Sequence, residues 1–65
     1  MTKEFRYVND LGCPKNLVVN MTPNDKGEYS ITLWDMKHGE FCGTGSLTKE
    51  KINEWLEHYG LTDRL

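Results

Sequence analysis

Within the segments that run as far as Gly43, apolar residues tend to recur at every second position, and beyond Gly43 they switch to steps of three and four. That change of period constrains the fold more than any other feature, because side chains alternate across a strand and return to one face of a helix after three or four residues. Strands come first, and one helix follows. The clearest strand is Glu28 to Met36, where Tyr29, Ile31 and Leu33 alternate with Ser30 and Thr32 among β-favouring residues. Glu4 to Val8 alternates more weakly around Phe5 and Tyr7, and Leu17 to Thr22 places Leu17, Val19 and Met21 on one side. A short fourth strand is expected around Glu40 to Gly43, after the tight turn Lys37-His38-Gly39.

The connections are equally marked. Asn9 to Asn16 is dense in turn formers, with Pro14 placed to break a ladder, and Pro23 to Gly27 has the length of a hairpin loop. Past Ser46 or Thr48, either of which can cap a helix, Ile52, Trp55, Leu56 and Tyr59 form one stripe and Gly60 supplies the exit. The expected fold is therefore α+β, a single two-layer domain spanning residues 1–65. An antiparallel meander of three or four strands carries one C-terminal helix on one face. The helix stripe should cover Phe5, Tyr7, Leu17, Val19, Met21, Tyr29, Ile31, Leu33 and Phe41.

With 65 residues, such a domain buries only about 60% of the surface its unfolded chain exposes, which leaves little room for a deep catalytic cleft. Eight Lys and Arg against ten Asp and Glu give a net charge of -2, so the bulk attraction that holds small proteins on nucleic acid is missing. No apolar run has the length to cross a bilayer, and no signal-peptide core follows the N-terminus. Two distant cysteines, Cys13 and Cys42, make no disulfide framework, so free thiols in a reducing cytoplasm are expected.

The motifs that carry chemistry are few. Gly43-Thr44-Gly45-Ser46 reads as a sharp strand-to-helix turn and lacks the lysine and spacing of a phosphate-binding loop. Cys13, His38, Cys42 and His58 do not fall into the close pairs of a zinc module, and Asp35, His38 and Glu40 cluster at one exposed hairpin. No enzyme, metal or cofactor is expected on these grounds.

The informative anomaly is on the side of the sheet that the helix does not cover. If Tyr29, Ile31 and Leu33 face the helix, then Trp34 and Met36 face away, and Val8, Val18 and Cys42 join them. One helix covers one side only, so this apolar set is open to water or buried against another chain, unless strand twist or a register break returns Trp34 to the core. Glu50, Glu54 and Glu57 form a second candidate surface, an acidic helix stripe suited to a basic partner.

The expected function is that of a small non-enzymatic interaction module, encoded as a complete open reading frame of bacterial or phage type. It acts as an inhibitor, adaptor or regulator of a larger protein, with a homodimer through the outer sheet face as one form. Val18, Trp34, Met36, Glu50, Glu54 and Glu57 are the interface candidates. The alternative is a single-stranded nucleic-acid binder that stacks bases on sheet aromatics, with Arg6, Lys15 and Lys37 near the backbone. Mixed charge signs make nucleic acid the weaker expectation.

Overall fold

A computed structural model describes all residues, 1–65, and shows the four-stranded antiparallel meander with its C-terminal helix. The strands are β1 (Thr2–Val8), β2 (Pro14–Asn20), β3 (Glu28–Asp35) and β4 (Glu40–Thr48), in the spatial order β1-β2-β3-β4, and α1 spans Lys49–His58. Each strand thus pairs with its neighbours in sequence, and β1 and β4 are the two edges.

Asparagine and aspartate side chains punctuate the connections. Asn9, Asn20, Asn24 and Asp35 each accept a backbone N–H from two residues on, at Leu11, Thr22, Lys26 and Lys37. This local bond mimics a backbone turn and ends the ladder where the sequence changes from apolar alternation to polar residues. Gly39, with φ 66°, takes the left-handed conformation that closes the β3–β4 hairpin.

Thr48 caps α1: its Oγ1 accepts from the Lys51 N–H at 3.3 Å. At the other end Gly60, with φ 74°, lets its own N–H reach the Glu57 carbonyl, and the Leu61 N–H reaches that of Leu56. This paired closure satisfies two of the orphan carbonyls and turns Leu61 back against the core. The tail continues toward the β1 edge, where Lys3 Nζ donates to the Arg64 carbonyl at 2.9 Å and the Leu65 N–H is held by Asn53.

The fully buried core is Phe5, Leu17, Val19, Ile52 and Leu56. It draws on β1, β2 and the helix. Residues from the other half of the sheet, Tyr29, Ile31, Leu33 and Leu47, pack against it only half-buried. Tyr7, Trp55 and Tyr59 close one end of the core as a cluster with ring centroids 4.2 to 4.8 Å apart.

Several boundaries differ from those expected. Pro14 does not interrupt β2 but begins it, the position at which a missing N–H costs least. The Gly43-Thr44-Gly45-Ser46 segment is not a turn: both glycines lie in β4, paired with Leu33 and Ile31, and the strand runs on to Thr48. Phe41 is not under the helix. The β3–β4 register shifts between Leu33 and Trp34, so Leu33 pairs with Gly43 while Trp34 pairs with Phe41, and Cys42 is the extra residue of a bulge. The bulge turns Phe41 to the open face beside Trp34 and Cys42 to the helix side, where it meets Lys15, reversing both expected placements.

Leu56 is fully buried at the junction of helix and sheet. Leu56→Ala should cost about 2–5 kcal/mol, the range for deleting a packed leucine, a large share of the stability of so small a domain. Thermal unfolding followed by circular dichroism checks it, and an unchanged melting temperature would contradict this placement of the helix.

Candidate functional site on the open sheet face

Even-numbered residues of β1 to β3 point away from the helix, and the ladder sets them in rows. One row crosses all four strands as Arg6, Asn16, Trp34 and Phe41. The next, toward the sheet end, is Val8 opposite Pro14, with the Met36 N–H bound to the Pro14 carbonyl at 3.0 Å. Trp34 and Phe41 meet edge to face with centroids 5.7 Å apart. Trp34, Met36, Phe41 and Val8 remain 38%, 40%, 55% and 58% exposed, so the apolar set is open to water in the single chain. Val18 lies one row further in, half-buried between Glu4 and Thr32.

Asn16 occupies the centre of this arrangement. It is 7% exposed although no secondary-structure element covers its side of the sheet, so its cover comes from neighbours on the same face, foremost Arg6 and Trp34 directly across. Its Oδ1 has no hydrogen-bond partner. A buried acceptor without a donor costs about 1–3 kcal/mol.

A second cluster lies on the helix side of the sheet, beyond the end of the core. Lys15 sits between Tyr7 and Asp35 in the ladder and reaches Asp35 Oδ2 at 3.4 Å and Cys42 Sγ at 3.7 Å. His38 Nδ1 is 2.9 Å from the same carboxylate, whose Oδ1 also accepts the Lys37 and His38 N–H groups. The His38 side chain, then burial in the opposite sense, then the two backbone donors and Lys15 leave Asp35 well below the usual carboxylate range. For Lys15, burial alone would lower the pKa, but the bonds and charges of Asp35 and Cys42 outweigh it and raise it. Burial, with smaller effects from Tyr59 and Cys42, pushes Tyr7 up to about 12. All three shifts move away from neutrality, which fixes Lys15 and Asp35 as a charged pair and Tyr7 as a neutral phenol. General acid–base work needs the opposite, a pKa drawn toward the working pH.

The sequence candidates divide between two surfaces. Val18, Trp34 and Met36 share the open face. Glu50, Glu54 and Glu57 are exposed on α1, on the far side of the molecule, where Glu54 pairs with Lys51 at 3.6 Å. The basic residues invoked for nucleic acid separate as well, since Lys15 is committed to Asp35 on the helix side while Arg6 lies on the open face. Sequence reasoning missed Phe41, Pro14 and Asn16 as open-face residues. Strict alternation in Pro14–Asn20 would have found two of them, whereas Phe41 depends on the bulge.

A cleft of about 30 Å³ opens between the helix and the β3–β4 half, lined by Leu17, Ile31, Leu33, Leu47, Ile52 and Trp55. It has no polar side chain to bind or turn over a substrate. No group of three or more His, Cys, Asp or Glu side chains is arranged to hold a metal, both cysteines are free, and no helix is long and apolar enough to cross a membrane. No family model, curated protein or solved structure matches the chain.

Two titrations check the electrostatics. Tyrosine ionisation followed by ultraviolet absorbance should show one phenol titrating near pH 12, well above the ordinary value near pH 10. Because the Asp35 carboxyl is lowered on folding, its contribution to stability is present above the unfolded value of about 3.9 and is lost as pH falls through the folded one. Asp35→Asn keeps an acceptor for the turn but loses the charge. It should melt below wild type at pH 7, and the gap should close in acid below about pH 4.

Proposed function

We propose that the chain is a non-enzymatic protein-interaction module that docks on a larger protein through the open sheet face. It acts there as an inhibitor, adaptor or regulator in the cytoplasm of a bacterial or phage-infected cell. The observation that carries this reading is the row Arg6, Asn16, Trp34 and Phe41, flanked by Val8, Pro14 and Met36. Tryptophan, arginine, phenylalanine and methionine are the side chains over-represented in protein interfaces. They surround an acceptor that no group of the chain satisfies.

The chemistry of such a surface suits a partner that brings an apolar side chain for the Trp34–Phe41 edge. Lys15, Asp35 and Tyr7 of the other cluster are held in their ordinary charge states, which supports binding over catalysis. Lys15, one of the three cations a nucleic-acid reading needs, is tied to Asp35 at 3.4 Å on the opposite side, which weighs against that alternative.

Trp34→Ala is the deciding variant. Truncating an interface tryptophan commonly costs 2 kcal/mol or more, so partner affinity should fall at least about tenfold. The fold should survive, because Trp34 lies outside the buried core. Wild type immobilised against extracts of the source cells should retain a partner that Trp34→Ala releases, and the triple variant Glu50→Lys, Glu54→Lys, Glu57→Lys should retain it too. Equal capture by Trp34→Ala, with circular dichroism unchanged, would overturn the open face as the docking surface.

A further inference from the structure

The two edges of the sheet are built differently. On β1, Lys3, Glu4 and Arg6 place charges of both signs along the strand, and the C-terminal tail is bonded to it through Lys3 and Arg64. These are the devices by which proteins discourage a further strand from adding. From Phe41 to Thr48, β4 carries no charge and no proline, and its one irregularity, the bulge at Cys42, lies toward its start. Five regular residues, Thr44 to Thr48, leave one side of their backbone without a partner strand.

The side chains of that stretch complement themselves. Gly45 lies on the helix side beside Ile31, and a Cβ built there meets nothing within 4 Å. Nor does Gly45 take a positive φ, so neither conformation nor crowding within the chain requires a glycine in this strand. Glycine within a strand often marks the close approach of another backbone. Two residues on, Leu47 is half-buried at the mouth of the apolar cleft.

We propose that β4 pairs antiparallel with β4 of a second copy of this chain, about a two-fold axis beside Ser46. Thr44 then opposes Thr48 of the second copy, and Ser46 opposes itself, both as small hydroxyl pairs suited to cross-strand bonding. Leu47 of one copy lies across from Gly45 of the other and leans over it toward Ile31, so each leucine covers the gap that each glycine leaves. The bulges fall outside the paired stretch. An axis perpendicular to the sheet keeps both helices on one side, and the two open faces join as one surface of an eight-stranded sheet. This seam is separate from the docking face described above and stands or falls independently of it.

A charge exchange on the axis tests the pairing. Ser46 is exposed, and a long charged side chain there leaves the monomer fold intact while setting like charges opposite each other in the pair. Sedimentation velocity over a range of concentrations should show wild type as a dimer. Ser46→Lys and Ser46→Glu should each raise the dimer dissociation constant at least tenfold, an equimolar mixture of the two should restore association, and Trp34→Ala should leave it unchanged. Amide exchange in unaltered protein should also slow at Thr44 to Thr48 as concentration rises. A wild type that stays monomeric at millimolar concentration, or a dimer lost in Trp34→Ala and kept in both Ser46 variants, would overturn the β4 seam.

Discussion

Everything in this domain depends on five side chains. Ile52 and Leu56 of the helix press onto Phe5, Leu17 and Val19, and no other residue except Asn16 is buried to a comparable degree. Burying such a side chain contributes about 1.5–3 kcal/mol against a chain-entropy cost of similar total size, so a core this small leaves a narrow margin. The helix supplies Ile52 and Leu56 to that core, and β1 and β2 supply the rest. Its exit through Gly60, with two backbone bonds closing the last turn, brings the tail back to Lys3 and ties the same half of the molecule once more. The consequence is an uneven structure. One half of the sheet is stapled, and the other half is left with an apolar cleft, an uncharged edge and an uncovered face.

A single extra residue then decides what that less covered half presents. Without the bulge at Cys42, alternation would carry Phe41 to the helix side and leave Trp34 without an aromatic neighbour. With it, Phe41 meets Trp34 at 5.7 Å on the open face, and Cys42 comes within 3.7 Å of Lys15 on the other. Bulges bend and twist a strand locally, and this one sits at the sheet end where Met36, Val8 and Pro14 extend the apolar surface. The two clusters on opposite sides of the sheet therefore share one structural origin.

That origin explains what could be read from the residues and what could not. The period change from two to about 3.6 is a direct consequence of side-chain geometry, so the meander, the helix and its glycine exit were legible, and its cap was narrowed to Ser46 or Thr48, of which Thr48 serves. So was the separation of Trp34 and Met36 from Tyr29, Ile31 and Leu33, which needs only alternation within one strand. The full extent of β4 was not, because Gly43 and Gly45 carry no side chain to show a face and favour turns when seen alone. Asn16 was passed over for a related reason. An asparagine two residues after a proline reads as loop, and only the ladder partners on either side, Arg6 and Trp34, turn it into a strand residue that is nearly buried.

The contrast between the two polar groupings bears most directly on function. On the helix side, Asp35 Oδ2 takes Lys15 and His38 while Oδ1 takes two backbone donors, so the carboxylate is satisfied and strongly biased to its charged form. Such a group holds a hairpin in shape and has little left to offer a ligand. On the open face, Asn16 Oδ1 is buried with nothing bound to it, at the centre of a patch whose aromatic and aliphatic side chains are a third to more than half exposed. A small domain with a thin margin of stability sustains an unpaired acceptor and exposed tryptophan and phenylalanine side chains at a cost that packing them inward would avoid. Surfaces that are costly in the isolated chain gain free energy when another chain covers them. The distribution of satisfied and unsatisfied groups thus sets a fully bonded carboxylate on the helix side against an open face that carries the exposed apolar side chains and the unpaired acceptor.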